Sequence, residues 1–423
     1  MAVDLKQAYR TIMDDHFPSE MEISFIDGNF RQTLHYEKVT WVIDGVHKGL
    51  RYGENPGQEA AMYKLTNGNL TLGEVSCIQA GLPLASEPEL LQSGKHPGKT
   101  NLTDADNALN ILRYLTADPC AIIVKHNNPC GVAKGSTLAD AYFRANKCDR
   151  LAAFGGCIAL NRECDVETAK LIAENYAEVV VAPEFAPGVM DIFAAKKNLR
   201  VLRIGNMARL QQYESTRVID FKSLIDGGIV AQWSFLPLAR KPEQLIPAEC
   251  TTKDGTVHKI KRLPTEKEYE DLIFGWLVEA GVTSNSVLYI KDGMTVGIGT
   301  GEQDRVGVAE IARDKAYRKY ADWLAWEKWQ TPYNELVLKF GDEGKKRQQE
   351  VDEASREAHG GLVGSAMVSD AFFPFRDGAE VGIREGVTSI VQPGGAIRDW
   401  DVIDCCNDAG VAMVFTGQRS FKH

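Results

Sequence analysis

The chain has 423 residues, of which 44% are hydrophobic and 25% charged, enough apolar material for more than one core and too much for a disordered chain or a single small module. Its 48 Lys and Arg against 58 Asp and Glu leave a net charge of −10, which excludes a broad nucleic-acid or acidic-membrane surface and means that any anionic substrate needs a locally basic pocket. No stretch approaches the roughly 20 apolar residues of a membrane span. The opening MAVDLKQAYRTIMDD has neither an apolar leader core nor a cleavage site, and the scattered cysteines suit reduced thiols, so the expected location is cytoplasmic.

Residues 1–50 read as irregular or short-stranded up to RYGENPGQ, residues 51–58. Ala105, Ala108, Leu109, Leu112 and Leu115 share one helical face, which predicts a helix over 104–115. The apolar run 121–124 then reads as a buried strand that ends in Lys125-His126, with Asn128-Pro129-Cys130-Gly131 as a turn. Thr137 and Asp140 open a helix running to about Cys148; residues 153–160 read as a strand; Asp165 caps another helix; and 178–183 form a further strand. The prolines between 227 and 264 mark a boundary. Beyond it, Thr265 and Glu268 make a capping box for a helix whose apolar residues run from Tyr269 to Ala280, stopped by Gly281. Asp292-Gly293, between apolar runs 286–290 and 294–298, is a type I′ hairpin signal. The charged stretch 312–359 predicts a helical excursion with one buried aromatic edge, Trp323, Trp326 and Trp329. Strands at 389–392 and 411–415 bracket a helix over 399–409. Alternating helices and strands indicate an α/β fold. The two blocks share an element order that suggests internal duplication, without a visible residue-level repeat.

Among residues able to do chemistry, Lys125 and His126 stand out because open α/β sheets place ligands at strand ends. A neutral imidazole there takes a proton while an ammonium stabilises developing negative charge; an ordinary structural pair fits the residues equally well. Zinc chemistry of the deaminase type requires an acid two residues after the histidine and paired cysteines, and neither is present around His126 and Cys130, so no catalytic metal is expected. Gly297, Gly299 and Gly301 before Arg305 read either as a tight turn or as a place where backbone approaches a ligand. Phe372, Phe373 and Phe375 read as core, and Arg51, Arg376 and Arg419 singly as surface charges.

Taken together, RYGENPGQ, KHNNPCG, AFGG, TSNSV, GIGTGEQDR, SDAFFPFRDG, QPGGAIRD and the terminal FTGQRSFKH closely resemble AICAR transformylase, the formyltransferase part of the bifunctional purine-biosynthesis family. The resemblance implies transfer of a formyl group from 10-formyltetrahydrofolate, the co-substrate, to aminoimidazole carboxamide ribonucleotide (AICAR). It also implies two cytidine-deaminase-like α/β/α subdomains without zinc, and a homodimer with no nucleic-acid or membrane partner. On this reading residues 1–50 are an N-terminal extension, 51–240 the first subdomain, and 241–423 the second, with a charged helical insertion at 312–359. The implied catalytic residues are Lys125 and His126. The implied nucleotide-binding residues are Arg51, Tyr52, His126, Gly155, Glu178, Asn285, Arg305, Phe372 and Arg419, and the folate-binding ones Val306, Asp377, Ala396 and Ile397. Glu178 stands where some relatives have Asp, and Ala396 where many have Ser. With about fifty residues before Arg51, a stand-alone form without the IMP cyclohydrolase part is expected. The competing readings are a deaminase-like hydrolase, disfavoured by the missing zinc ligands, and a catalytically impaired regulatory homologue that binds nucleotide or folate.

Overall fold

The computed structural model describes residues 5–423 and divides them into two compact units. The first contains the residues up to Pro119 together with Val124–Asn127 and Gly155–Leu236; the second contains Cys120–Ile123, Asn128–Phe154 and Pro237–His423. No helix among the described residues is long and apolar enough to cross a membrane.

In the first unit, Cys157–Leu160, Val179–Ala182 and Arg200–Arg203 are parallel neighbours, and Glu89–Gln92 closes the edge antiparallel to the last. Cys157–Leu160 and Val179–Ala182 are buried throughout, as strands covered on both faces must be. The Lys99–Leu112 and Val166–Ala173 helices supply covering apolar faces, through Ala105, Ala108, Leu109 and Leu112 on the first and Ala169 and Ile172 on the second. The opening residues are more regular than their composition suggests. Glu20–Asp27 and Phe30–Lys38 form a long antiparallel hairpin, which the sequence hides because both strands are largely exposed and lack a clean apolar alternation.

In the second unit, Ala366–Ser369, Ser389–Gln392 and Ala412–Phe415 are parallel. The hairpin Val287–Lys291 and Met294–Gly299 joins that sheet antiparallel to Ala366–Ser369. The Thr265–Glu268 capping box is present, and the helix it opens runs over Glu266–Glu279. The charged region is one long helix, Arg305–Trp329, with Asp342–Glu357 packed back on it. Its fully buried seam is aliphatic, and the expected aromatic edge is only partly buried, with Trp329, Tyr333 and Phe340 packed against that seam. Ala321, Ala325, Leu336 and Val351 fill it, while the three tryptophans are half-buried. Small residues let the helices approach closely, and the indole rings take cations instead: Arg150 lies 3.9 Å from the Trp326 ring centre and Lys147 4.8 Å from that of Trp323.

Two other expectations shift. Residues 153–156 are not strand: Asp149 caps a short Arg150–Ala153 turn of helix, and the strand begins at Cys157. The helix expected from 104 starts at Lys99. Its cap is unconventional, since Gly98 has no side chain and the Asn101 amide oxygen accepts from the Gly98 N–H instead.

Along the chain, leaving aside the Arg150–Ala153 helix in the first copy and Leu336–Phe340 and Asp342–Glu357 in the second, one order of elements occurs twice: helix, two strands joined by a two-residue turn, helix, then strand, helix, strand, helix, strand. The first copy runs from Lys99 to Arg203 and the second from Glu266 to Phe415. The structure also exposes a residue-level repeat. Asp104 and Asp271 are each the sixth residue of their opening helices. Lys125 and Lys291 each end the first strand of the pair. Gly131 and Gly297 each stand fourth in the second strand, where a Cβ would lie 2.0 Å from the Ala145 carbonyl oxygen and 2.4 Å from that of Ala312. Only glycine lets those helices seat so closely. Gly299 serves the same packing, its absent Cβ falling 2.2 Å from the Val308 carbonyl oxygen. Neither a tight turn nor a ligand is needed to account for Gly297 and Gly299, which lie in a strand where a helix packs closely.

Candidate active site

In the first unit the turn is not at Asn-Pro-Cys-Gly. Pro129, Cys130 and Gly131 belong to the strand Asn128–Lys134, and the chain reverses at His126-Asn127, with φ of 54° and 60°. Both residues are left-handed, as a type I′ hairpin requires. Outside glycine that conformation costs about 1–2 kcal/mol per residue, less for asparagine and more fully for histidine. The turn is held from the Lys99–Leu112 helix. The buried Asp104 carboxylate accepts from the Asn127 N–H at 2.6 Å, and from the His126 N–H as well. The Asn107 amide donates to the Asn127 carbonyl at 2.9 Å. Burial pushes the Asp104 carboxyl up, and the amides it receives pull it back. Lys125, the last residue of its strand, is half-buried, and His126 at the turn is exposed.

The first turn of the same Lys99–Leu112 helix reaches Glu178 through Asn101. Glu178, just before Val179–Ala182, accepts from the Asn101 amide at 3.3 Å and pairs with Arg200 at 3.3 Å. Gly155 takes φ +77° and donates its N–H to the Tyr176 carbonyl at 2.8 Å; a side chain here would meet Tyr176 and Glu178. The Arg51 guanidinium lies 4.6 Å above the Tyr52 ring and donates to the Lys95 carbonyl at 3.1 Å. Its Nε is buried without a hydrogen-bond partner, as is Nδ1 of His96, whose Nε2 donates to the Gly49 carbonyl at 2.6 Å. Burial lowers the His96 imidazole, and Arg51 and Arg200 beside it act in the same direction. The Arg51 Nε is thus a buried cationic donor without an acceptor among the described residues, the kind of group that suits an anion. Arg51, Tyr52, Gly155 and Glu178 accordingly fall in the same unit as Lys125 and His126.

In the second unit Asn285 and Arg305 are in direct contact. Arg305 opens the long helix but turns inward: Nη1 donates to the fully buried Asp370 carboxylate, to the Ser286 carbonyl at 3.2 Å and to the Ser369 hydroxyl at 3.2 Å, and Nη2 donates to the Asn285 side-chain carbonyl at 3.0 Å. Asp370 takes a further hydrogen bond from the Ser284 hydroxyl at 2.6 Å. The expectation of Arg305 as an open cation meets a guanidinium whose two terminal nitrogens are engaged inside the unit. Phe373 is core, whereas Phe372 and Phe375 are exposed, so only one of the three aromatic residues is buried as read. Arg419 is exposed, its guanidinium 4.5 Å above the Phe421 ring.

The residues expected to hold folate all lie in this unit. Val306 is the second residue of the long helix, Asp377 is exposed at the start of Arg376–Arg384, and Ala396 and Ile397 lie in the loop before Asp399–Ala409. That loop is shaped by Asp399, whose carboxylate accepts from the Gly395 N–H at 2.7 Å and the Ala396 N–H at 3.0 Å. Ile397 projects almost fully into solvent, at 91% exposure. Among the described residues no group of three or more His, Cys, Asp or Glu is placed to hold a metal ion. Sequence reasoning missed Asp104, Asn107, Asn101, Arg200, Asp370 and Asp399, all of which act by holding other residues. The one signal available was the spacing shared by IVKHNNPCG and YIKDGMTVG.

The profile of the AICARFT/IMPCHase bienzyme family matches residues 7–315. The chain belongs to this family. It is also 38% identical, over 376 residues, to the bifunctional purine biosynthesis protein PurH of Ruegeria sp. (strain TM1040), an alignment that covers 88% of this chain and 59% of that protein. The chain therefore spans rather more than half the length of the bienzyme relative it matches.

Proposed function

We propose that this chain carries the formyl-transfer activity of the bienzyme: phosphoribosylaminoimidazolecarboxamide formyltransfer, from 10-formyltetrahydrofolate to AICAR, in purine biosynthesis. The observation that carries the reading is the Lys125-His126 pair, set at a constrained turn, in a chain of this family.

The acceptor amine is conjugated with a carboxamide and weakly nucleophilic, so juxtaposition of the two substrates and removal of a proton during attack are the main demands. The amine nitrogen forms a bond to the formyl carbon, and the His126 imidazole takes the amine proton. The Lys125 ammonium stabilises the oxyanion of the tetrahedral intermediate. The bond from the formyl carbon to N10 of the folate then breaks, and His126 returns the proton to that nitrogen. Arg51, Tyr52, Gly155 and Glu178 are nucleotide contacts in this reading, as are Asn285, Phe372 and Arg419. Arg305 belongs to this group as the residue that orients Asn285. Val306, Asp377, Ala396 and Ile397 receive the folate. The two subdomains are cytidine-deaminase-like in this reading, the assembly is a homodimer, and the location is cytoplasmic.

A steady-state assay with both substrates tests it. Formyl-AICAR and tetrahydrofolate are expected in equal amounts. Absence of tetrahydrofolate release would overturn the reading in favour of the impaired binding homologue, and the same assay registers any IMP formed by ring closure. Sedimentation at micromolar concentration reads the assembly.

A further inference from the structure

We infer that Asp104, seconded by Asn107, is a positioning residue for His126: from one face of the Lys99–Leu112 helix it grips the His126-Asn127 turn and so aims the imidazole. The inference rests on the reading of His126 as the base.

The grip is complete on both sides of the peptide, with Asp104 receiving the Asn127 N–H at 2.6 Å and Asn107 donating to the Asn127 carbonyl at 2.9 Å. Asp104 and Asn107 are three residues apart, hence neighbours on one helix face. The second copy of the element order supplies an internal control. There Asp271, at the same helix position, accepts from the Asp292 N–H at 3.0 Å and the Gly293 N–H at 2.7 Å, across a turn with φ of 55° and 67°. The clamp is therefore a device of the fold, used twice. What differs is what each clamp holds. Asp292-Gly293 adopts a type I′ turn readily, because its second residue is glycine. His126-Asn127 has no glycine, so its left-handed backbone depends on being over-determined by surrounding contacts. Strain held in that way at a reacting residue sets side-chain direction, and a displacement of about 1 Å there costs on the order of 10²-fold in rate.

The experiment compares Asp104→Ala, Asp104→Asn, Asp104→Ala with Asn127→Gly, and Asp271→Ala, reading kcat, KM for AICAR, thermal stability and hydrogen exchange of the turn amides. Asp104→Ala is expected to lower kcat at least tenfold, with KM within several-fold, and to speed exchange at His126 and Asn127. Asp104→Asn, which keeps one acceptor oxygen, stays within several-fold of wild-type kcat. Asn127→Gly restores part of the kcat lost in Asp104→Ala. Asp271→Ala lowers thermal stability without lowering kcat. Wild-type kcat and exchange in Asp104→Ala would overturn the inference, as would equal kcat losses in Asp104→Ala and Asp271→Ala. An Asp104→Asn variant as slow as Asp104→Ala would overturn it in favour of a through-space charge effect. Should the wild-type protein transfer no formyl group, the functional reading fails and exchange alone decides the clamp: faster exchange at 126–127 upholds it, unchanged exchange overturns it.

Discussion

The turns at His126-Asn127 and Asp292-Gly293 share a backbone and a clamp yet differ in what they present. Each follows a strand ending in lysine. In the second, Lys291 donates to the Val363 carbonyl at 2.7 Å and the turn carries an aspartate and a glycine. In the first, the turn position after the lysine is an exposed histidine in a conformation that glycine would adopt at less cost. One supersecondary unit, used twice, has kept its ordinary turn chemistry in one copy and departed from it in the other. That departure is what supports the role proposed for His126, because functional and strained sites are where local rules are expected to break. The same contrast separates the two clusters. At Arg51 one buried guanidinium nitrogen has no acceptor among the described residues, whereas Arg305 is matched by Asp370 and three further oxygens. The first suits an incoming anion; the second is a scaffold.

The strongest way to break this comparison is to remove the differing side chain. His126→Ala is expected to lower kcat by on the order of 10²–10⁴, the usual contribution of a general base, while Asp292→Ala leaves kcat unchanged. Equal effects in a formyl-transfer assay would mean that the two turns are equivalent after all. Next in size is the scaffold. Asp370→Ala leaves the buried Arg305 charge uncompensated and should destabilise the protein by about 3–5 kcal/mol in urea unfolding; a loss below about 1 kcal/mol would contradict a matched, closed cluster. Arg51→Ala, in the open cluster, should behave oppositely. Losing a charge-assisted contact worth about 1.5–3 kcal/mol raises KM for AICAR roughly ten- to a hundredfold, with little change in unfolding.

The smallest effect concerns how the two opening helices begin. Gly98 relies on Asn101, whereas Thr265 and Glu268 form a full capping box, with Arg262 bidentate on the Glu268 carboxylate at 2.9 and 2.8 Å. Burial opposes the Glu268 charge, but the Arg262 guanidinium and the Thr265 N–H hold it down to about 2, from an ordinary 4.5. A carboxylate depressed on folding contributes stability above its unfolded value and loses it as pH falls toward the folded one. Glu268→Gln should therefore cost about 1 kcal/mol at neutral pH. That gap should shrink between pH 4.5 and 2 in thermal unfolding. A gap independent of pH would show that the carboxylate charge does not matter to the cap.

Much of the fold was legible locally. The Thr265–Glu268 box, the Asp165 and Thr137 caps and the Asp292-Gly293 turn depend on contacts within a few residues, and periodicity reports such contacts directly. Lys125 and His126 were legible too, as a strand end. Their turn was not, because His-Asn carries no glycine to announce a positive φ, and the carboxylate that makes it tolerable is Asp104, more than twenty residues upstream. Gly155 and Glu178 were recognisable only by resemblance. They sit where parallel strands begin, not where they end, so a rule about strand C-termini does not find them.

By itself, then, the sequence determined the alternation of helices and strands, the capped helix starts and the family, and it put forward Lys125 and His126 as a pair, since each is written in residues near one another or in runs of distinctive motif. Only the tertiary structure decided which charges are open and which are matched. Arg51, Arg305 and Arg419 read alike along the chain, yet one keeps a buried nitrogen without a partner, one is closed over a buried aspartate, and one lies exposed over a phenylalanine ring. Hydrogen-bond supply and demand at a buried charge depend on groups tens or hundreds of residues away, such as Lys95 for Arg51 and Asp370 for Arg305. The same holds for the clamp at residue 104. An aspartate on a helix is ordinary until folding brings two left-handed amides within reach of its carboxylate.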